Sequence, residues 1–283
     1  MTKFSIIIST INRVGELNLL FESLIRQTYK DFEVIIVDQN TDERLIPVVE
    51  RYSSSVNITH INSQSRGASR GRNIGIVNSQ GEIAIFPDDD CVYPPDLLEL
   101  SVLSFGKNQG ARCLIGMLID PQGKPHSRWY PEKTTLATNL SALVIGFEPV
   151  LIIQRSLINK LEGFDETIGI GSQTPWGSGE GSDMCIRALQ LNEILLIDPS
   201  LKIIHPRPPL LSNYRSQNEK TYSYAVGMGG VIKKNRLSFF TIVLYLFTYI
   251  RSILWACVKL RKNQAQFHLF RLKGVIEGLV KYQ

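Results

Sequence analysis

Phe86-Pro87-Asp88-Asp89-Asp90-Cys91-Val92-Tyr93-Pro94-Pro95-Asp96 is the stretch whose reading decides the fold. It follows Glu82-Ile83-Ala84-Ile85-Phe86, an apolar run of strand length. It precedes Asp96-Leu97-Leu98-Glu99-Leu100, which has helical spacing and a first turn opened by prolines. Three carboxylates therefore stand at the carboxyl end of a strand, where open α/β sheets bind their ligands. Packed this closely they repel one another, and a divalent cation carrying a diphosphate relieves the repulsion while holding the phosphates. A solvated acidic turn is the other use of such a triplet, so the surrounding chain has to decide.

Upstream, Phe4 to Ser9 is a β-branched run fit for a buried strand, and Glu16 to Gln27 carries Leu17, Leu20, Phe21 and Leu24 at helical spacing. Phe32 to Asp38 reads as a second strand that ends in an acid. A helix is expected over Asp42 to Tyr52, a short strand over Val56 to Ile61, and another helix over Gly67 to Asn78. The alternation implies an α/β fold with a mostly parallel, doubly wound sheet and right-handed crossovers.

Composition narrows the class. The 283 residues are 43% hydrophobic, enough for one large globular domain and an appendage. Met1-Thr2-Lys3 leads at once into a short apolar run without a small-residue cleavage site, so a cytoplasmic start is expected. Cys91, Cys113, Cys185 and Cys257 are scattered with no CxxC pair, which argues against a zinc knot or a disulfide framework and fits a reducing compartment. The net charge of +5 hides an asymmetry: residues 1–200 hold 17 Lys and Arg against 24 Asp and Glu, whereas residues 201–283 hold 14 against only Glu219 and Glu277. The basic tail and the acidic body are built for different surroundings.

Two loops of the first half invite a nucleotide. Asp38 ends its strand on the same edge as the Asp triplet, where a carboxylate accepts from a pyrimidine N–H or a ribose hydroxyl, and Thr10-Ile11-Asn12 ends the first strand beside it. Arg66-Gly67-Ala68-Ser69-Arg70-Gly71-Arg72-Asn73 opens a helix with glycines and arginines, a place where backbone N–H groups and guanidinium forks meet anions. It lacks the GxxxxGK[ST] spacing of a P-loop.

In order and spacing, Ser9-Thr10-Ile11-Asn12-Arg13, Val37-Asp38-Gln39-Asn40-Thr41-Asp42, Gly67 to Gly75 and Phe86 to Asp90 resemble the family 2 glycosyltransferases of the GT-A fold, the type found in bacterial polysaccharide and O-antigen synthesis. Glu162-Gly163-Phe164-Asp165-Glu166 is similar to that family's G-G-F-D-E segment, and Trp176 to Asp183 to its acidic acceptor-side motif. The resemblance runs over residues 4–206 and implies an inverting transfer (EC 2.4) from a nucleotide-diphosphate-sugar, a UDP-sugar being favoured, with Mg²⁺ or Mn²⁺ as cofactor. It places Thr10, Asn12 and Asp38 on the nucleotide, Arg70 or Arg72 beside the diphosphate, and Asp88 and Asp89 on ribose and sugar. Asp90, with Asp88 and His205, is implied to hold the metal.

Acceptor activation departs from the family pattern. Many relatives read Glu-Asp-x-Asp where this chain reads Glu180-Gly181-Ser182-Asp183, so the usual base position is glycine. An inverting transfer needs a carboxylate to take the proton of the attacking hydroxyl. Asp183 and Glu180, three residues apart on one helical face, are the candidates, with Asp183 as base and Glu180 positioning the acceptor, or the reverse. Trp176 offers a platform for a sugar ring or an ordinary core side chain. The Gly/Pro-bearing loop from Asp120 to Tyr130 and the stretch from Ile168 to Ser178 are expected on the acceptor side.

Past Leu210 the character changes. Leu237 to Ile250 is uncharged and apolar, is interrupted by Arg251, and resumes through Val258, with basic residues on both flanks. Fourteen residues fall short of the roughly 20 that span a bilayer, so a helix lying in the interface is expected, drawn to an anionic leaflet. Apolar interleaving disfavours nucleic acid as partner, and a hairpin buried on the body is the competing arrangement. The expected organisation is a GT-A domain over residues 1–210 (donor half 1–110, acceptor half 111–210) and a helical membrane-associating region over 211–283. The chain would then sit on the inner face of the cytoplasmic membrane and act on a glycan, lipid-linked acceptor. The competing functions are a catalytically silent nucleotide-sugar-binding scaffold, kept open by Gly181, and a sugar nucleotidylyltransferase, which usually has a Gly-rich basic loop after its first strand.

Overall fold

Two runs dense in Ile and Val, Phe4–Thr10 (β1) and Phe32–Asp38 (β2), pair in parallel from Phe4 opposite Phe32 to Thr10 opposite Asp38. Both are covered on two faces, which is why Ile6-Ile7-Ile8 and Val34 to Val37 run without polar alternation. The computed structural model describes residues 3–207 and 214–282. Ile58–Asn62 (β3) flanks β2 and Ile83–Ile85 (β4) flanks β1, both in parallel. The crossovers are the helices Gly15–Ile25 (α1), Ile46–Ser53 (α2) and Ala68–Val77 (α3). The second of these begins four residues later than expected, because Asp42 grips Arg44 at 2.6 Å in the preceding turn and Pro47 lies in the first helical turn.

The other half of the sheet is mixed. Leu97–Lys107 (α4) leads into Ala111–Ile119 (β5), and Thr135–Leu136 (β6) is a short edge strand. After Asn139–Ile145 (α5), Leu151–Gln154 (β7) inserts antiparallel between β4 and β5. Arg155–Lys160 (α6) and Glu180–Gln190 (α7) precede Ile194–Ile204 (β8), which is parallel to β5. The order is β3-β2-β1-β4-β7-β5-β8-β6. The sheet is thus mostly parallel and doubly wound as the sequence predicts, with β6 and β7 reversed.

Three further helices follow: Tyr214–Lys234 (α8), Phe239–Val258 (α9) and Lys262–Lys281 (α10). The domain boundary expected at residue 210 lies outside the described residues. Helices α8 and α10 approach until a Cβ on Gly278 would stand 2.8 Å from the Gly229 Cα. The charge of Arg251 interrupts the apolar run but not the helix. Ser238 caps α9 by accepting from the Thr241 N–H at 3.2 Å, and Arg251 lies on an exposed face over the Trp129 ring, so the helix continues for 20 residues, about 30 Å. It is long and apolar enough to cross a membrane by length and composition.

The turn into β4 leaves no room for a side chain. A Cβ on Gly81 would lie 2.5 Å from the Ser5 nitrogen and 2.6 Å from the Phe4 carbonyl carbon, both backbone, while the Gly81 N–H donates to Ser5 Oγ at 2.7 Å. Gly81→Ala is therefore expected to destabilise the protein by about 1–3 kcal/mol, read as a lowered Tm in thermal unfolding. An unchanged Tm would show that this turn yields freely.

Candidate active site

Strands β1, β2, β4 and β8 all end at one edge of the sheet, and the candidate residues gather there. A two-residue bridge sets the key register: the Val92 N–H donates to the Ile204 carbonyl at 2.8 Å and the Ile204 N–H to the Val92 carbonyl at 3.0 Å. It brings the loop after β4 against the end of β8, so that His205 Nε2 lies 3.0 Å from Asp90 and 3.7 Å from Asp88. Ligand atoms of Asp88, Asp90 and His205 fall within 4.8 Å of one another. Two carboxylates and an imidazole suit Mg²⁺ or Mn²⁺. The buried His205 Nδ1 has no hydrogen-bond partner among the described residues, and His126 Nε2 donates to the His205 carbonyl at 3.0 Å. His126, from a loop that looked merely polar in sequence, thus braces His205.

The charges of the triplet diverge. Burial raises the Asp88 carboxyl above its usual range against the pull of Arg72 and His205. Burial likewise pushes Asp89 up to about 6, although Thr10 Oγ1 donates to it at 2.8 Å and Arg13 lies 3.8 Å away. Asp90 is lowered: burial works against it, but the hydrogen bond and charge of His205 outweigh that, and Asp90 in return raises His205.

On the nucleotide side Thr10 is committed to Asp89. Asp38 is 1% exposed and accepts from the Asn40 amide and backbone and, at 3.1 Å, from His60 Nε2. Asn12 adopts a left-handed backbone with φ 60°, its N–H donating to Asn40 Oδ1 and its own carbonyl oxygen Oδ1 accepting from Arg44. His60 and Arg44 belong to this edge although neither stood out in the sequence.

The two arginines separate. Arg70 turns outward to Glu166 at 2.9 Å, whereas Arg72 is 5% exposed and bridges Asp88 at 3.3 Å and Glu180 at 3.2 Å, its guanidinium over the Phe164 ring. Burial opposes the charge of Arg72, but Glu148, Glu180 and Asp88 outweigh burial and its pKa rises. At the helix opening the Ala68 N–H donates to the Ile170 carbonyl at 2.9 Å, so a neighbouring loop occupies that N–H. Gly71 and Gly75 face the sheet, where any Cβ would meet Ser9, Gln39 and Ile7.

The acceptor side brings the principal correction. Asp183 is fully buried and accepts from Arg187 at 2.7 Å, Lys234 at 2.8 Å and Asn235 at 2.8 Å, while Lys234 also grips Asp165 at 2.7 Å. It ties α7 to the end of α8 and has no open face from which to take a proton. One helical turn earlier, Glu180 points to Arg72, with Gly169 at φ 113° packed so close that a Cβ would lie 2.6 Å from Glu180 Oε1. Trp176 is half-buried and packs on Gly230 of α8 and on the Tyr282 ring, centroids 4.8 Å apart. The loop after β5 is seated by Arg207 on Asp120 at 2.8 Å and by Arg251 over Trp129.

Glu148 was missed by sequence reasoning. It opens the single 3-10 turn Glu148–Val150 before β7, and its carboxylate accepts from the Gly181 N–H. Burial pushes its carboxyl up to about 8, the charge of Glu180 adding and Arg72 opposing. The available signal was Gly181 itself, since a glycine at an expected acid position leaves room for another carboxylate.

Because Asp183 is a buried pairing hub, Asp183→Asn is expected to cost about 3–5 kcal/mol, seen as a lowered Tm whether or not ligand is bound. An unchanged Tm with lost turnover would return Asp183 to a direct chemical role.

The profile of "Glycosyl transferase family 2" matches residues 5–173. An uncharacterized glycosyltransferase of Haemophilus influenzae is 31% identical over 172 residues, covering 58% of this chain and 57% of that protein. The poly(ribitol-phosphate) beta-N-acetylglucosaminyltransferase TarS of Staphylococcus aureus is 24% identical over 163 residues, 56% of this chain and 28% of TarS. The chain thus spans little more than half the length of the first curated relative and less of the second. Among solved structures, the Pyrobaculum calidifontis mannosyltransferase PcManGT, in complex with GDP-Man and Mn²⁺, superposes with TM-score 0.70 at 14% identity over 99% of this chain and 88% of its own. S. aureus TarS 1-349 in complex with UDP-GlcNAc gives 0.63 at 15% identity, over 96% and 92%. With more than half of its residues inside the family profile and its sheet superposing on GT-A structures, the chain belongs to glycosyl transferase family 2.

Proposed function

We propose that this chain is a metal-dependent inverting glycosyltransferase, moving a sugar from a nucleotide-diphosphate-sugar to a hydroxyl of a lipid-linked glycan in cell-surface polysaccharide synthesis. The observation that carries the reading is the convergence of Asp88, Asp90 and His205, with ligand atoms within 4.8 Å, at the edge where β1, β2 and β4 end. Support for the donor class comes from PcManGT, seen with GDP-Man and Mn²⁺, and TarS, seen with UDP-GlcNAc. A UDP-sugar is favoured because TarS is similar in both sequence and fold.

Asp88, Asp90 and His205 would hold the cation, which when bound supplies positive charge to offset that of the leaving diphosphate. The chain's own residues set the rest. Arg72, fixed by Asp88 and Glu180, keeps a permanent buried cation behind the donor edge and holds Asp88 in place. Thr10 orients Asp89 toward sugar or ribose, and Asp38 with His60 and Asn40 lies at the strand end where the base would sit. The acceptor proton goes to a carboxylate on the α7 side, where Glu180 and Glu148 stand.

The working place proposed is the inner face of the cytoplasmic membrane. Along α9, Phe240, Val243, Phe247, Ile250, Leu254 and Val258 recur at helical spacing and are all exposed, and Lys259, Arg261 and Lys262 follow at the end of the helix. Each base near an anionic leaflet contributes about 1 kcal/mol.

The test of the chemistry is a donor panel with Mg²⁺, Mn²⁺ or chelator, reading donor binding and nucleoside diphosphate release. One donor is expected to bind with metal and be turned over slowly, with both signals lost in chelator and in Asp90→Ala. Binding of no donor in either metal would overturn the reading. For the membrane, the protein is expected to sediment with anionic phospholipid vesicles and Phe240→Ser/Phe247→Ser to remain in the supernatant. Equal sedimentation of both would remove α9 as the contact.

A further inference from the structure

A Cβ on Gly181 would lie 2.7 Å from the Gly146 carbonyl oxygen, 2.8 Å from the Glu148 nitrogen and 2.8 Å from Glu148 Oε1. The volume that a side chain at position 181 would enter is thus already held by Glu148, whose carboxylate the Gly181 N–H anchors. Topology explains how a residue so distant in sequence gets there. Because β7 runs antiparallel to β4, the turn that enters β7 lies at the same edge as the loop that leaves β4. Glu148 at that turn therefore shares an edge with Asp88, and the Arg72 guanidinium feels the charge of both.

The neighbouring carboxylates are spoken for. Asp183 is enclosed by Arg187, Lys234 and Asn235, and Glu180 is 4% exposed and paired with Arg72. Glu148 is half-buried, and among the described residues no side chain is hydrogen-bonded to its carboxylate. A group that accepts a proton from an incoming hydroxyl has to be reachable and must not be held in a hydrogen bond by a cation. Of the three, only Glu148 keeps part of its surface exposed and has no cation hydrogen-bonded to its carboxylate, although the charge of Arg72 acts on it.

We infer that Glu148 is the proton acceptor of the transfer, reaching in from the turn before β7 to the place where Gly181 has no side chain. The inference rests on the glycosyl-transfer reading above. The acceptor oxygen forms a bond to the anomeric carbon as that carbon's bond to the diphosphate oxygen breaks. The electron pair of the broken bond leaves with the nucleoside diphosphate, and the hydroxyl proton passes to the Glu148 carboxylate. Burial and the charge of Glu180 raise the proton affinity of that carboxyl, which favours its taking up a proton.

With the donor found in the panel and water as acceptor, nucleoside diphosphate release is measured for the wild type, Glu148→Gln and Glu148→Ala, alongside UDP or GDP affinity and Tm. Glu148→Gln is expected to slow release by about 10²–10⁴-fold with nucleotide affinity and Tm unchanged, and formate is expected to restore part of the rate in Glu148→Ala. Release from Glu148→Gln at the wild-type rate overturns the assignment while leaving the transferase reading intact. A slowed release that tracks weakened nucleotide binding or a fallen Tm, without formate rescue, also overturns it. A wild type that binds none of the donors overturns the transferase reading, and this assignment with it.

Discussion

The buried guanidinium of Arg72 is the constraint on which the site depends. Removing a cation from water is costly unless it is paired and hydrogen-bonded, and a half-satisfied arrangement is worse than none. Asp88 and Glu180 meet that requirement from two different elements, the loop after β4 and the first turn of α7. Phe164 lies under the guanidinium and itself packs edge-on against Phe86, the residue that leads into the Asp triplet. The loop after β4 and the first turn of α7 are therefore locked to each other through one side chain. One oxygen of Asp88 is turned to Arg72, and the other faces His205.

The C-terminal helices enter this lock from the far side. Lys234 closes a charge cluster with Asp165 and Asp183, and a Cβ on Gly179 would press on Val231 and Met228 of α8. The basic tail is thereby divided in its use. The Lys234 end of α8 pairs with buried Asp183 and half-buried Asp165 of the body, whereas α9 turns an aromatic and aliphatic stripe outward. The charge asymmetry between the halves of the sequence reflects both roles, only one of which concerns an external surface.

Much of this was readable in the residues. The Ile and Val runs gave the parallel strands, the Asp triplet after β4 marked the ligand edge, and the family resemblance pointed to His205, which parallel strands deliver to that same edge. Asp183 was misjudged for a physical reason. Helical spacing places it on the same face as Glu180, but which acids on a face meet solvent depends on what packs there, and Lys234 and Asn235 come from fifty residues away. Trp176 was ambiguous for the same cause, since Gly230 and Tyr282 pack on it from far along the chain. The glycines of α3 looked like an anion loop, yet their lack of a side chain serves close packing on β1.

By itself the sequence determined the fold class and the sheet edge at which Asp88, Asp90 and His205 gather, because both follow from local periodicity and from the direction of strands. Only the tertiary structure decided which carboxylates near α7 are hydrogen-bonded to cations and which is not. That outcome depends on non-local pairing: Arg72 takes Glu180, Lys234 takes Asp183, and the reversed strand β7 carries Glu148 into the space beside Gly181. Charge neutralisation and steric exclusion act between residues that meet only when the chain is folded, and no spacing along the sequence records them.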